Sequence, residues 1–208
     1  MQKKQSEILQ GLQEGNARFV AGKRKAHDFL AQAKETAKKG QKPTVTILSC
    51  SDSRVPTEII FDQGIGDVFS VRIAGNVCQP SQLGAVEFGT KYLGTPLCVV
   101  LGHTKCGAVV AACTGMQLEK NIQSLVKSIS PAAKKTEKKV GKTGKEIVED
   151  CAEENIFTQI EYMLKKSDVL RELVRTKKLA IVGANYDLET GVVKFLGAHP
   201  KNDELIAG

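Results

Sequence analysis

The sequence lacks long apolar runs and is poor in aromatic residues. No stretch approaches the roughly 18 uncharged apolar residues that a membrane-spanning helix requires. The first ten residues, MQKKQSEILQ, lack the apolar segment that follows the lysines of a secretory signal. We therefore expect a cytoplasmic chain with no membrane partner.

Aromatic residues make up only 5% of the chain, which leaves few rings for stacking on nucleic-acid bases. The net charge is +7, from 30 basic and 23 acidic residues, and the basic excess lies mainly in two lysine-rich runs, 23–39 and 127–145. These runs contain almost no aromatic residues. We interpret them as solvated surface and predict no nucleic-acid partner.

The six cysteines are irregularly spaced, which does not resemble a disulfide framework. They are Cys50, Cys78, Cys98, Cys106, Cys113 and Cys151. A chain of 208 residues, 41% of them hydrophobic, builds a core that needs no disulfide bonds. The pattern therefore predicts reduced thiols that act, where they act, as metal ligands or nucleophiles.

Hydrophobic periodicity predicts an N-terminal helical arm followed by an α/β fold. Residues 1–40 predict two helices, the second over 28–39. The chain beyond them predicts strands over 45–48, 68–71, 97–101, 179–182 and 192–196, and helices over 82–93, 108–118, 147–165 and 168–175. Most of the strands are continuous apolar runs, which favours a mostly parallel sheet flanked by helices. The segment 128–144 predicts a helix end and a mobile loop.

Two polar segments directly follow predicted strands. CSDSR begins at Cys50, and HTKCG begins at His103 and includes Cys106. Parallel strands present their carboxyl ends at one edge of the sheet, so the two segments are expected to meet there. Two thiolates and one imidazole suit zinc and leave a fourth position for water. The alternative interpretation is three unrelated buried residues.

Asp52 and Arg54 lie close to the first predicted ligand. Two thiolates cancel the charge of Zn²⁺, so the bound water is acidified less than at a site with three histidines. An aspartate kept ionised by arginine can accept the proton of zinc-bound hydroxide and orient its lone pair. Alternatively, the two residues form only a structural salt bridge.

The two segments together resemble the metal motifs of the β-class carbonic anhydrases. Further matches are EGNARF from Glu14, GDVFSVRIAGN from Gly66, GAVEFG from Gly84 and VGANYDLETG from Val182. The resemblance implies a zinc lyase that reversibly hydrates carbon dioxide to bicarbonate and a proton, with one zinc per chain. It also implies one Rossmann-like domain over 1–208, with a dimerisation arm over 1–40, a zinc-binding core over 41–208, and a homodimer or a larger assembly of dimers.

The same resemblance assigns the site residues. The implied zinc ligands are Cys50, His103 and Cys106, and the implied catalytic pair is Asp52 and Arg54. The implied substrate-binding residues are Gln41, Phe69, Ala74, Phe88 and Gly107. Of these, Gln41 is expected to reach the pocket of the neighbouring subunit.

Some positions depart from the family pattern. Phe88 stands where some members carry tyrosine, so a hydroxyl group is missing there. Arg72 and Tyr186 match two of the three residues that hold an inhibitory bicarbonate in one branch of the family, but Ile47 replaces the tryptophan. We therefore expect an open, water-bound site.

Two other functions use the same ligands. One is hydrolysis of carbonyl sulfide or carbon disulfide, which are also linear and neutral. The other is a non-catalytic, zinc-binding regulatory module, for which we expect Asp52 as a fourth ligand. His27 and His199 are predicted to lie at the surface, so the sequence indicates no proton shuttle.

Overall fold

The protein is described by a computed structural model that covers residues 1–207. Its helices are α1 (Lys3–Val20), α2 (Phe29–Lys39), α3 (Thr57–Ile60), α4 (Pro80–Glu87), α5 (Gly107–Thr114), α6 (Lys120–Lys127), α7 (Ser130–Val140), α8 (Val148–Lys166), α9 (Asp168–Arg175) and α10 (Asn202–Ala207). Its strands are β1 (Val45–Ser49), β2 (Val68–Arg72), β3 (Leu97–His103), β4 (Ala180–Tyr186) and β5 (Val193–Gly197). None of the helices in this range is long and apolar enough to cross a membrane.

The five strands form one sheet in the order β2-β1-β3-β4-β5. The first four run parallel, and β5 returns antiparallel to β4. β1 and β3 are buried along their whole length, as their continuous apolar sequences predict. The predicted α/β fold with a mostly parallel sheet flanked by helices is therefore confirmed. The carboxyl ends of the central strands β1 and β3 lie next to each other.

Two apolar layers cover the sheet. Leu48 and Val100 belong to the layer under α8, whereas Ile47 and Val99 belong to the layer under α1. α8 lies very close to the strands. A Cβ atom added at Gly102 would come within 2.8 Å of the Ile156 side chain. The glycine therefore permits this close approach.

The N-terminal arm has two unlike helices. α1 packs on the body of its own chain, where Leu12 is buried and the Asn16 amide donates to Gly191 O at 2.9 Å and accepts from Val193 N–H at 2.9 Å. A Cβ atom at Gly15 would lie 1.9 Å from the Phe61 carbonyl oxygen, so only glycine fits this contact. α2, in contrast, has no buried residue in the described part of the chain.

The segment 128–144 differs from its prediction. It contains helix α7, whose residues Ala132, Ala133 and Thr136 are buried against neighbouring elements, so the prediction of a mobile loop was wrong. The buried face is narrow and made of small residues, and the lysines around it hid the helical period. The helix α6 before it was also not predicted.

The two histidines outside the ligand set also differ from expectation. His199 is 9% exposed and packs edge-on against Phe157, with ring centroids 5.8 Å apart. His27 places Nε2 3.1 Å from the carboxylate of Asp62, and its side chain is only 12% exposed. The predicted surface location was therefore wrong for His199, and His27 belongs to a contact that holds the arm to the core.

Candidate metal centre

Three predicted ligand side chains meet at the carboxyl ends of β1 and β3. Cys50 follows β1, His103 ends β3, and Cys106 precedes α5. Their candidate ligand atoms all lie within 4.8 Å of one another, and all three side chains are buried. The register pairs Ser49 with Leu101, and this brings Cys50 and His103, 53 positions apart in sequence, to the same edge of the sheet.

The imidazole of His103 is oriented for metal binding. Its Nδ1 lies 2.9 Å from the carbonyl oxygen of Thr104, which can only accept, so Nδ1 carries the hydrogen. Nε2 is then the free acceptor. It is buried and has no hydrogen-bond partner within residues 1–207. A buried histidine with one nitrogen bonded to a carbonyl and the other unpartnered fits a metal ligand.

The sulfur of Cys50 is surrounded by hydrogen-bond donors. It accepts from the backbone N–H of Asp52 at 3.4 Å and from that of Gly75 at 3.2 Å. The pKa of Cys50 is lowered to about 4, chiefly because the Cys106 thiol donates to it, with these two backbone N–H groups assisting. The pKa of Cys106 is raised because it holds the shared proton and is buried. The pair therefore carries a negative charge that attracts a cation.

Asp52 is held by Arg54 in a two-pronged ion pair. Arg54 Nε donates to Oδ1 at 2.9 Å and Nη2 donates to Oδ2 at 2.8 Å, while the Arg54 backbone N–H donates to Oδ1 at 2.9 Å. These bonds hold the pKa of Asp52 well below its usual range, the side-chain bond from Arg54 contributing most. The carboxylate is therefore ionised and fixed in direction beside the ligand group.

Arg72, at the end of β2, stabilises the loop that carries Cys50. Its Nε donates to the Cys50 carbonyl oxygen at 3.2 Å and its Nη2 donates to the Asp52 carbonyl oxygen at 2.7 Å. From the sequence, Arg72 is predicted only as part of an anion site, and its contact with this loop is not predicted. The contact could have been predicted from the strand ends. Arg72 ends a strand parallel to β1, which places its side chain beside the loop after β1.

Two of the predicted substrate-binding residues lie beside the ligand group. Ala74 and Gly107 line one apolar groove of about 460 Å³, together with Ala108, Ala111 and Leu125. Gly107 directly follows Cys106, and the residue after Ala74 donates to the Cys50 sulfur. The methyl group of Ala74 and the missing side chain of Gly107 leave this groove open.

The other three predicted substrate-binding residues lie away from the ligand group of their own chain. Phe69 is paired with Thr46, four residues before Cys50, or about 13 Å along the strand. Its ring packs at a tilt against exposed Phe88, with centroids 6.0 Å apart. Gln41 is exposed in the loop before β1, and β1 itself, five residues or about 16 Å long, lies between this loop and Cys50.

The fold and this cluster define an α/β protein with a buried Cys-His-Cys group that could bind a metal ion. A family model described as "Carbonic anhydrase" matches residues 45–193. The chain is 37% identical over 185 residues to carbonic anhydrase 2 of Mycobacterium tuberculosis, covering 86% of this chain and 87% of that protein. It is 33% identical over 183 residues to a carbonic anhydrase of Mycolicibacterium smegmatis, covering 88% and 89%.

Solved structures agree with the sequence relatives. The β-carbonic anhydrase CafA of Aspergillus fumigatus superposes with a TM-score of 0.76 at 27% identity, covering 97% of this chain and 94% of that one. The chain therefore belongs to the β-class carbonic anhydrase family and is a carbonic anhydrase.

Proposed function

We propose that this chain catalyses the reversible hydration of carbon dioxide to bicarbonate and a proton, using one zinc ion held by Cys50, His103 and Cys106. The observation that carries the proposal is the buried convergence of these ligand atoms, with His103 Nε2 unpartnered among the described residues. Two thiolates and an imidazole are a donor set that suits zinc. A zinc ion bound there supplies Lewis-acid activation of water for attack on carbon dioxide.

Asp52 orients the attacking water in this proposal. Its carboxylate is ionised at neutral pH, so it can only accept hydrogen bonds, and Arg54 fixes the direction in which it accepts. A water that donates to Asp52 is left with its lone pair free to attack carbon dioxide. The engagement of both carboxylate oxygens by Arg54 also opposes a regulatory module in which Asp52 is a fourth metal ligand.

A second copy of the chain completes the substrate pocket in this proposal. Gln41 and the aromatic pair Phe69 and Phe88 lie away from the chain's own ligand group, at exposed or edge positions of the fold. Exposed apolar residues of α2, Phe29 and Leu30, support pairing through the arm. In a homodimer these residues form the apolar wall and the substrate-orienting amide of the partner's site, opposite Ala74 and Gly107.

A reducing compartment, the cytoplasm, fits the cysteines. All six are unpaired thiols, and all are buried. Thiols of this kind are usual in proteins kept under reducing conditions. We therefore propose a cytoplasmic location for this enzyme.

Stopped-flow hydration of carbon dioxide with a pH indicator tests the proposal, with metal analysis on the same purified sample. We expect about one zinc per chain and rapid hydration. Asp52→Asn should keep its zinc and lose about 100-fold or more in kcat, because a neutral amide also donates and no longer orients the water. Asp150→Asn, at an exposed site on α8, is the matched control and should match the wild type.

The possible contrary results are distinct. A zinc-loaded wild-type chain that does not hydrate carbon dioxide would overturn the proposed function. An Asp52→Asn variant with the wild-type rate would leave the function in place and reduce the Asp52–Arg54 pair to a structural salt bridge.

A further inference from the structure

Helix α8 carries two amide side chains in the protein core. Asn155 is 0% exposed and Gln159 is 1% exposed, and both lie on the face of α8 that is turned to the loop after β2. Burying an amide costs free energy unless all of its polar atoms find partners. Two such residues, one helical turn apart, therefore indicate a specific task at this position.

The two amides form one continuous hydrogen-bond chain. Gln159 Oε1 accepts from Cys78 N–H at 2.8 Å, and Gln159 Nε2 donates to Asn155 Oδ1 at 2.8 Å. Asn155 Nδ2 in turn donates to the carbonyl oxygen of Gly75 at 2.9 Å. Gln159 Nε2 also donates to the Ser128 carbonyl oxygen at 3.2 Å.

The direction of this chain is determined at both ends. The backbone N–H of Cys78 can only donate, so it must face Gln159 Oε1, and the Gly75 carbonyl can only accept, so it must face Asn155 Nδ2. Neither amide can be rotated by 180° without setting like atoms against each other. The network therefore holds Gly75 in one orientation.

Gly75 is the residue whose N–H donates to the Cys50 sulfur at 3.2 Å. It adopts a left-handed conformation, with φ at 72°, and a Cβ atom there would come within 2.7 Å of Ile129 and 3.0 Å of Ala108. A glycine is thus required, and glycine has the least conformational restriction of its own. Its orientation must come from its partners, and the buried partner of its carbonyl is Asn155.

We propose that Asn155, oriented by Gln159, is a positioning residue of the metal centre. By holding Gly75, it keeps one N–H aimed at the Cys50 sulfur. That bond draws electron density from the thiolate and fixes the direction of its lone pairs, as outer-shell partners of metal ligands do. This inference rests on the proposed function, because it takes Cys50 to be a ligand of the bound zinc.

The test compares zinc-loaded full-length chains by transfer of zinc to a chromophoric chelator. Asn155→Leu removes the donor while keeping the volume, and we expect about tenfold weaker zinc binding. Gln159→Met leaves Asn155 in place but removes the hydrogen bond that orients it, and we expect about threefold weaker zinc binding. Thr158→Val is the matched control, since the Thr158 hydroxyl on the same helix is buried without a partner in the described chain, and its zinc affinity should equal that of the wild type.

A second readout reports on the thiolates directly. With cobalt(II) in place of zinc, the sulfur-to-metal charge-transfer band should shift in Asn155→Leu and in Gln159→Met but not in Thr158→Val. A merely structural role for the amides lowers the melting temperature without moving this band. If Asn155→Leu does not fold, the Gln159→Met variant decides the question with the same two readouts.

Zinc affinity and cobalt spectra identical to the wild type in a folded Asn155→Leu or Gln159→Met variant would overturn the inference and leave the proposed function standing. A wild-type chain that binds neither zinc nor cobalt at Cys50 would overturn the proposed function itself. The two failures are therefore separated by the behaviour of the wild type.

Discussion

The ligand group and the aromatic pair of this chain were both predicted as parts of one site, yet they lie in contrasting surroundings. Cys50, His103 and Cys106 are at most 4% exposed and meet within one chain. Phe88 is 47% exposed, and its partner Phe69 lies on the edge strand β2. One half of the predicted site is closed within the chain and the other half faces outward.

This difference separates two kinds of site residue. The predicted ligands lie at or just after the ends of neighbouring parallel strands, so the topology of one sheet is enough to assemble them. Gln41 lies in the loop before β1, Phe69 lies on β2 and Phe88 follows α4, so all three are away from the cluster of their own chain. In our proposal the chain binds its metal alone and builds its substrate pocket only as a dimer.

The largest effect is expected at the buried ligand group. Cys50→Ser removes a thiolate from the cluster, and we expect loss of more than about 100-fold in zinc affinity together with loss of hydration activity. Metal analysis after gel filtration measures it. Cys113→Ala, a change at a buried cysteine of α5 outside the cluster, should keep its zinc. Full zinc occupancy in Cys50→Ser would remove Cys50 from the ligand set.

An intermediate effect is expected where the two halves meet. Gln41→Ala should keep zinc and lose about tenfold in kcat/KM, because the substrate loses an orienting partner. If Gln41 serves the neighbouring subunit, mixing Gln41→Ala with inactive Cys50→Ser chains creates dimers with one complete site. If the subunits of an equal mixture exchange at random, half of the dimers are mixed and each has one complete site. About a quarter of all sites are then complete.

The control for this mixing experiment uses chains that carry both substitutions. Dimers of Gln41→Ala with the double variant contain no complete site, so their activity per bound zinc should stay at the Gln41→Ala level. If the first mixture forms mixed dimers without recovering activity, Gln41 does not act across the interface, and the proposed contrast between the two halves is lost.

The smallest effect is expected outside the predicted site, at an ion pair of α8 that contributes to stability. Lys165 and Lys135 hold Glu161 by hydrogen bonds of 2.6 and 2.9 Å and lower its pKa to about 2. A lowered pKa stabilises the fold above the unfolded-state pKa near 4.5, and this contribution is lost as the pH falls from 4.5 towards 2.

Glu161→Gln should therefore cost about 1 kcal/mol in free energy of unfolding at pH 7, since these pairs are partly exposed and screened, and progressively less at pH 4 and pH 3. Urea unfolding at the three pH values measures it. Glu153→Gln, which breaks a more exposed pair with Lys194, is the control and should change stability by only a few tenths of a kcal/mol. Zinc content should remain unchanged, and a loss of zinc would link this surface to the metal centre.

Much of the fold was predictable because its signals are local. The predicted strands 45–48 and 97–101 match β1 and β3 closely, since a continuous apolar run between polar ends needs no knowledge of the rest of the chain. α7 was missed because its buried face consists of small residues among lysines. His199 was misplaced because its burial depends on Phe157, which is 42 positions away.

The sequence by itself determined the strand ends and the residue types placed there, and with them a set of side chains that could bind a metal ion. Only the tertiary structure decided that Arg72 donates to the loop after β1 and that Asn155 reaches Gly75 from α8. The physical reason is the separation in sequence over which each signal acts. Hydrophobic pattern and ligand chemistry are carried by neighbouring residues, whereas hydrogen bonds across 80 positions of sequence exist only once the sheet and helices have packed.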